Sequence, residues 1–514
     1  MDYKERPYFH VAHARDLKGR DKIIYRAFEI FPGLFAWTTL LGVIILSFIK
    51  PVWVAIFIII FDLFWLLKTA HLSFHHYYNW RRMKHNIKSD WKEKLEKLKY
   101  ENVRHLVLLP FYNESEEVIT NTIDALVNSD YDKSKIFVVL AAEERAGEDA
   151  QIITKKLEEK YAEQFGAFLV TTHPAGVEGE IMGKGPNITY AAERARREIL
   201  NTKGIDYEDV LVSAFDIDTV VWKKYFSCLT WYFLTTEDPQ KTSFQPVPLY
   251  NNNLWQTHAV SRVAALTATF WQMIQQERPE KLVTFSSHAI PFKALYEVGY
   301  WQKNMVSDDS RIFWNLFLAN DGNYKAVPIS YPVSMDANLG PTMWKTFGNI
   351  FRQHARWMWG VENLPYMFFG FIKNKKVSMK KKISHTIVQV EGFWSLATNP
   401  IMIMILGWLP IIVGGEAFRQ TILSYNLPII TRTLMTIAMI GLVLSAIIAT
   451  TLVPKMPADY KKRKRRWVVM VLQWALVPFT IIIFGSLPGL LSQTRLMLGR
   501  YVGKFWVTPK HRKL

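Results

Sequence analysis

The chain has 514 residues, half of them hydrophobic, and 63 Lys and Arg against 45 Asp and Glu give it a net charge of +18. That is more apolar than a soluble enzyme usually is, and the basic surplus clusters beside apolar runs, as the positive-inside bias of membrane proteins expects, rather than forming a nucleic-acid-binding face. A single cysteine, Cys228, excludes an internal disulfide framework and a cysteine-rich metal site.

Residues 30–49 form a nearly uncharged run of about one bilayer thickness. After Lys50-Pro51 a second run extends from Val52 to Leu67, and the pair reads as a transmembrane hairpin rather than a cleavable signal peptide. Lys4, Arg6, Arg15, Lys18, Arg20, Lys22 and Arg26 precede it and Arg81, Arg82 and Lys84 follow it, so both ends are expected in the cytoplasm. Asp62, inside the second run, is read as a buried packing partner before a functional group.

Residues 71–385 are polar. Asp90 to Tyr100 reads as an amphipathic linker helix. Strands are expected at Val103–Pro110, Ile136–Ala141, Ala167–Thr171 and Val210–Ala214, and helices at Ser115–Ser129, Ala150–Phe165 and Lys184–Leu200. This alternation predicts an α/β domain with a largely parallel sheet, whose ligands sit beyond the carboxyl ends of the strands. Asn113-Glu114, Glu143-Glu144 and Asp216-Ile217-Asp218 all fall there.

Beyond residue 386 the membrane returns. Spans are expected at Phe393–Val413, broken by Asn399-Pro400, at Leu434–Leu452, and at 467–500 as a kinked or re-entrant hairpin. The hairpin reconciles the basic 461–466 loop with a basic tail (Arg495, Arg500, Lys504, Lys510, Arg512, Lys513) on the same side. The expected domains are therefore 1–70, 71–385 and 386–514.

Three motifs in the polar region carry candidate chemistry. In Asp216-Ile217-Asp218, two carboxylates two positions apart at a strand end can face one site. A Mg²⁺ or Mn²⁺ ion there would neutralise a diphosphate, with phosphate and water completing its shell. Asp308-Asp309 precedes a helix expected from about Arg311. Ser307 or Asp308 fits an N-cap, and Asp309 fits the base that takes a proton from an attacking hydroxyl. Gln353-His354-Ala355-Arg356-Trp357 lies on a predicted helix with Gln353, Arg356 and Trp357 on one face. Arg356 is suited to clamping a diphosphate and Trp357 to stacking on a sugar, and the surrounding aromatic residues suit a membrane surface. Gly183-Lys184-Gly185 opens a helix and reads equally as a phosphate cradle or a basic turn. Asn113-Glu114-Ser115 and Asn187-Ile188-Thr189 match the glycosylation sequon, which is accidental on a cytoplasmic domain.

The order LLPFYNE (108–114), GKGPNITYAA (183–192), FDID (215–218), SDDSRI (307–312), RQHARW (352–357) and FWVTPK (505–510) resembles membrane-embedded family 2 glycosyltransferases, the group that includes cellulose and hyaluronan synthases. The resemblance implies a cytoplasmic GT-A domain, inserted between transmembrane helices, that inverts the anomeric configuration. It implies nucleotide contact by Asn113, Glu114 and Asp216, metal binding by Asp218 and base action by Asp309. Asp308, Gln353, Arg356 and Trp357 would contact the acceptor or the diphosphate. The family's base-reading Asp is replaced here by Glu143 or Glu144, with Glu143 taken first. Its glycine-threonine acceptor loop is replaced by Phe285-Ser286-Ser287-His288, where His288 reads as holding the loop before touching substrate. The expectation is an integral protein of the cell membrane that moves a sugar, with a UDP-linked donor expected first, to a growing β-linked polysaccharide, with export through the C-terminal helices. Transfer to a lipid acceptor is the first alternative, and a non-catalytic transporter or scaffold the second. The motifs specify neither the sugar nor a partner subunit.

Overall fold

A computed structural model describes residues 6, 8–456, 463–503 and 506–509. The first apolar run belongs to a helix over Gly19–Ile49 and the second to a helix over Pro51–Lys88, with only Lys50 between them. The second helix continues some twenty residues past its expected apolar end. The reason lies in its polar last turns, where Asn79 donates to Ser330 Oγ (3.1 Å) and Asn86 to the carbonyl of Ile329 (3.0 Å). The span is thus joined directly to the strand Lys325–Met335. Asp62 is buried.

The expected linker helix shrinks to Trp91–Leu95, capped by Asp90, whose carboxylate accepts from the amides of Lys92 and Glu93. Trp91 and Leu95 turn into the core there, and the chain must then reverse into the first strand. The strands are β1 (Arg104–Phe111), β2 (Ile136–Glu143), β3 (Ala167–His173), β4 (Val210–Ala214), β5 (Val220–Val221), β6 (Thr242–Tyr250), β7 (Ala289–Pro291) and β8 (Lys325–Met335). Among the described residues they form one eight-stranded sheet in the order β3-β2-β1-β4-β7-β6-β8-β5. β1 to β4, β6 and β8 run one way, and β5 and β7 the other. The largely parallel α/β expectation therefore holds.

Both faces of the sheet are covered, which explains the near-continuous apolar strands. Leu106 and Leu108 of β1 pack on one side with Ile188 and Ala192 of the helix Lys184–Ala195, while Val107 and Leu109 pack on the other with Ile119 and Ile123 of the helix Glu116–Val127. The helix expected to run to Leu200 changes at Arg196 into a π turn ending at Leu200.

Among the described residues, four helices are long and apolar enough to cross a bilayer, or five if the bent pair Met379–Met404 and Leu406–Val413 counts as one span. That bend of 49° does not fall at Asn399-Pro400. The helix runs through Pro400 and breaks at Ile405. The hairpin expected over 467–500 is instead one continuous candidate span, Lys464–Met497, with the Trp467 ring 5.4 Å from Trp255 and the Arg495 guanidinium 5.8 Å from the Trp359 ring. Lys461, Lys462, Lys504, Phe505, Lys510, Arg512 and Lys513 lie outside the described residues. Gly33 lets the first helix approach the last, because a Cβ there would sit 2.7 Å from the Gln493 carbonyl oxygen. Trp37 donates to Thr494 Oγ1 (2.8 Å) in the same seam.

His105 of β1 is fully buried, with Nε2 2.8 Å from Thr230 Oγ1. Burial pushes its pKa down from 6.5 to about 3. Its stabilising contribution is complete above 6.5 and is lost as pH falls toward 3, because only the unfolded chain takes up the proton in that window. Thermal unfolding in detergent should therefore become easier from pH 7 to pH 5, by up to about 1.4 kcal/mol per pH unit from this group. His105→Gln should flatten that slope, and an unchanged slope would contradict the assignment.

Candidate active site

The end of β4 delivers Asp216 and Asp218 into a turn that is pinned along its length. Thr122 Oγ1 donates to the Ile217 carbonyl (2.6 Å), the Thr219 amide to the Asp216 carbonyl (2.9 Å) and Asn252 Nδ2 to the Asp218 carbonyl (3.0 Å). Asp218 is buried, and its Oδ2 accepts from the Asp336 amide at 2.9 Å. Asn252 also donates to Asp336 Oδ1 (3.0 Å), tying the ends of β4, β6 and β8 together. Asp216 accepts from Ser286 Oγ (2.8 Å) and from Lys184 Nζ (2.7 Å).

Lys184 joins the two acidic motifs. Its Nζ lies 3.0 Å and 3.3 Å from the two oxygens of Asp309. Burial alone would lower the pKa of this ammonium. The carboxylates of Asp216, Asp309 and Asp308 outweigh burial and hold it above its ordinary value. Asp309 stands in the first turn of the helix Asp308–Ala319, which starts three residues earlier than expected. Asp308 is buried, and burial followed by the Asp309 charge pushes its carboxyl well above the usual carboxylate range. It packs against Gly185, where a Cβ would come within 3.2 Å of the Asp308 Cβ. Gly185 is small so that the helix Lys184–Ala195 can approach the acid helix. Lys184 thus bridges two carboxylates at a helix start.

The loop Thr284–His288 runs between the motifs. Thr284 Oγ1 donates to the Asp309 carbonyl (2.6 Å), and Gln245 accepts from the Phe285 amide (2.8 Å). Ser287 adopts φ +66°, a left-handed conformation that costs a non-glycine residue energy. His288 is buried, its Nδ1 bonded to the Phe285 carbonyl (2.7 Å) and its Nε2 accepting from Trp301 Nε1 (3.3 Å). Those partners make it a neutral imidazole that holds the loop, and burial lowers its pKa accordingly.

Gln353, Arg356 and Trp357 lie on the helix Met343–Met358. Trp357 stands 5.7 Å from the ring of Tyr250, at the end of β6, and Gln353 lies 3.5 Å from Asn338 Nδ2. Tyr250, Asp336, Asn338, Gln353, His354 and Trp357 line a narrow crevice open to solvent. The charges of Asp216, Asp218, Arg356 and Asp309 all reach the buried Tyr250 hydroxyl, and burial followed by the carboxylates raises its pKa. The acidic motifs and the tryptophan helix therefore converge on one place. Sequence reasoning missed Tyr250 and Asp336, and it named Ser286 only as part of the loop Phe285-Ser286-Ser287-His288. Only Tyr250 carried a signal, its position at a strand's carboxyl end before Asn251-Asn252-Asn253.

The residues expected to contact the nucleotide stand at the ends of β1 and β2. Asn113 is exposed just beyond β1, and Glu114 accepts from the Tyr112 amide (2.9 Å). Glu143, at the end of β2, pairs with Arg145 (Nη2 to Oε1, 3.0 Å), whose guanidinium lies 4.2 Å from the Tyr112 ring centre. Glu144 instead accepts from the Ala175 amide (2.7 Å) and fastens the following loop.

Residues 211–453 match the family described as glycosyl transferase family group 2. The chain carries a family 2 glycosyltransferase domain. The match includes both acidic motifs and the tryptophan helix and begins after Lys184. The matched region is thus a glycosyltransferase domain, which weighs against the transporter or scaffold reading. Its relatives include the poly-β-1,6-N-acetyl-D-glucosamine synthase of Staphylococcus epidermidis, 28% identical over 152 residues. That stretch is 29% of this chain and 33% of the relative, so the match spans a third of the relative's length. Similar solved structures include a mannosyltransferase from Pyrobaculum calidifontis in complex with GDP-Man and Mn²⁺, 15% identical with a TM-score of 0.39 over 81% of this chain and 97% of that one. Another is residues 1–349 of S. aureus TarS in complex with UDP, 12% identical with a TM-score of 0.35 over 68% of this chain and 91% of that one.

The glycosyltransferase domain offers hard oxygen donors at Asp216 and Asp218, suited to a small divalent cation. Among the described residues no group of three or more His, Cys, Asp or Glu side chains is placed to hold a metal ion. Such a donor set fits an ion whose shell the substrate's phosphates and water complete.

Proposed function

We propose that this glycosyltransferase works at the cytoplasmic face of the cell membrane. It moves a sugar from a UDP-linked donor to a growing β-linked polysaccharide, with inversion and with Mg²⁺ or Mn²⁺. The single observation that carries the reading is Lys184, whose ammonium lies 2.7 Å from Asp216 and 3.0 Å from Asp309 and so gathers the strand-end acid and the candidate base at one point. The relative's printed activity makes N-acetylglucosamine the first sugar to test.

The nucleotide lies along the ends of β1 and β2, against Asn113, Glu114 and Glu143, with Asp216 beside its diphosphate. Asp218 would hold the cation, with Asp216 beside it, and the ion would offset charge on the departing diphosphate. Asp309 takes the proton of the acceptor hydroxyl. That oxygen forms a bond to the anomeric carbon as the bond from this carbon to the β-phosphate oxygen breaks, and UDP leaves with the electron pair. Trp357 and Gln353 line the acceptor cleft together with Tyr250, and Arg356 and Lys184 supply positive charge near the diphosphate. Asp308, buried behind Asp309, shapes that end of the acceptor or diphosphate site.

The test is product sizing. Protein in nanodiscs, given UDP-N-acetylglucosamine and Mn²⁺, should yield a ladder or a long polymer. A single glycolipid would move the reading to a non-processive lipid glycosyltransferase, and no transfer from any nucleotide sugar would sink it.

A further inference from the structure

The acid helix is clamped from behind by a side chain that the catalytic scheme does not use. Glu362 lies five residues after Trp357 in the turn Trp359–Glu362 and is 1% exposed. Its Oε1 accepts from both the amide (3.0 Å) and the hydroxyl (2.5 Å) of Ser307, and its Oε2 accepts from Trp359 Nε1 (2.8 Å). Ser307 is the N-cap of the acid helix, and its side chain makes no capping bond within that helix. An N-cap hydroxyl ordinarily accepts from the amides of its own helix. Here it donates outward to a buried carboxylate, so the position of the cap, two residues before Asp309, is set by the segment that carries the tryptophan helix.

A second layer holds the same joint. Arg311 is fully buried. Its Nε donates to Asn363 Oδ1 (2.7 Å), one Nη to the Val11 carbonyl (3.0 Å) and to Gln302 Oε1 (3.1 Å), and the other to the Glu362 carbonyl (3.2 Å). Asn363 Nδ2 donates to Ser310 Oγ (2.8 Å). Burying a carboxylate is costly unless its oxygens are satisfied, and an apolar pair would close this joint at lower cost. What a carboxylate adds is direction, because three donors fix it in one orientation.

We propose that Glu362 is a positioning residue for transfer. Through Ser307 it fixes where Asp309 stands relative to Arg356 and Trp357, so that base and acceptor cleft keep one spacing. A displacement on the order of 1 Å at a reacting group can cost about a hundredfold in rate. The inference rests on Asp309 being the base.

The test uses full-length protein in nanodiscs with Mn²⁺ and whichever of UDP-glucose, UDP-N-acetylglucosamine, UDP-glucuronate and GDP-mannose the wild type turns over fastest. Binding of the matching nucleoside diphosphate reports on the donor site. Glu362→Gln keeps an acceptor for Ser307 and turns an amide NH2 toward Trp359. It should lower kcat at least tenfold and leave nucleotide Kd within twofold. Ser307→Ala should lower kcat in the same sense, Ser307→Thr should restore it, and Glu362→Gln with Ser307→Ala should be no worse than Glu362→Gln alone. Wild-type kcat in Glu362→Gln, or nucleotide binding lost in step with kcat, overturns the proposal. Should Glu362→Gln not accumulate, the Ser307→Ala and Ser307→Thr pair decides by the same kcat and Kd readings. Asp309→Asn retaining transfer would sink the base assignment instead, whatever the Glu362 variant does.

Discussion

Asp309→Asn should abolish transfer while leaving donor binding nearly intact. The substitution keeps size and shape and removes the acceptor for one proton, and a positioned base is worth about 10²–10⁴-fold in rate. Lys184 retains Asp216 as a partner at 2.7 Å, so the strand-end turn and its bonds to Asp336 and Asn252 should hold. Calorimetric titration with UDP and Mn²⁺ checks the binding half, and label transfer from UDP-N-acetylglucosamine checks the catalytic half. Loss of UDP binding in this variant would place Asp309 in the donor site and contradict the base role.

Lys184→Met should damage stability and transfer together. It leaves the Asp216 and Asp309 carboxylates facing one another without the ammonium between them. Removing one partner of a buried pair costs about 3–5 kcal/mol. Because Asp216 and Asp309 keep 33% and 24% of their side-chain surface exposed, solvent screening lowers the expected loss to about 2–3 kcal/mol. Denaturant unfolding of the solubilised protein measures it. Adding Asp216→Asn to Lys184→Met should return part of the lost stability, since contacting charges do not add independently. Full additivity would show that the ammonium and the carboxylate do not sense one another.

The first half of the α/β domain was readable because β1 to β4 are short apolar runs bounded by turns and separated by helical periodicity. The strands after β4 were not. β6 contains Pro246 and Pro248, and β8 contains Pro328 and Pro332, residues that argue against a central strand because they donate no ladder hydrogen bond. The sheet accommodates them with a register shift between Gln245 and Val247. In β8, Ser330 takes φ +43° there, and its amide is satisfied by Gln276 Oε1 (3.1 Å). No local pattern announces a bulge that a distant glutamine stabilises.

The site divides in the same way. Asp216, Asp218, Asp309 and Trp357 stood out because each belongs to a compact motif at the end or start of an element. Lys184 was half legible. Its place at a helix start was visible, but its role depends on two carboxylates 32 and 125 positions away. Asp336 and Glu362 had no signal at all, because each acts through a backbone amide or a hydroxyl that only tertiary packing brings within reach.

The central claim is that the Asp216, Asp218 and Asp309 groups, joined by Lys184, form one nucleotide-sugar transfer centre. Release of nucleoside diphosphate by purified protein in nanodiscs tests it most directly, across a panel of nucleotide sugars, with Mn²⁺ and then with excess chelator. One donor should release nucleotide in step with sugar transfer, chelation should stop it, and Asp309→Asn should stop it while UDP still binds. Undiminished transfer in the Asp309→Asn and Asp218→Asn variants would show that the chemistry happens elsewhere on this chain.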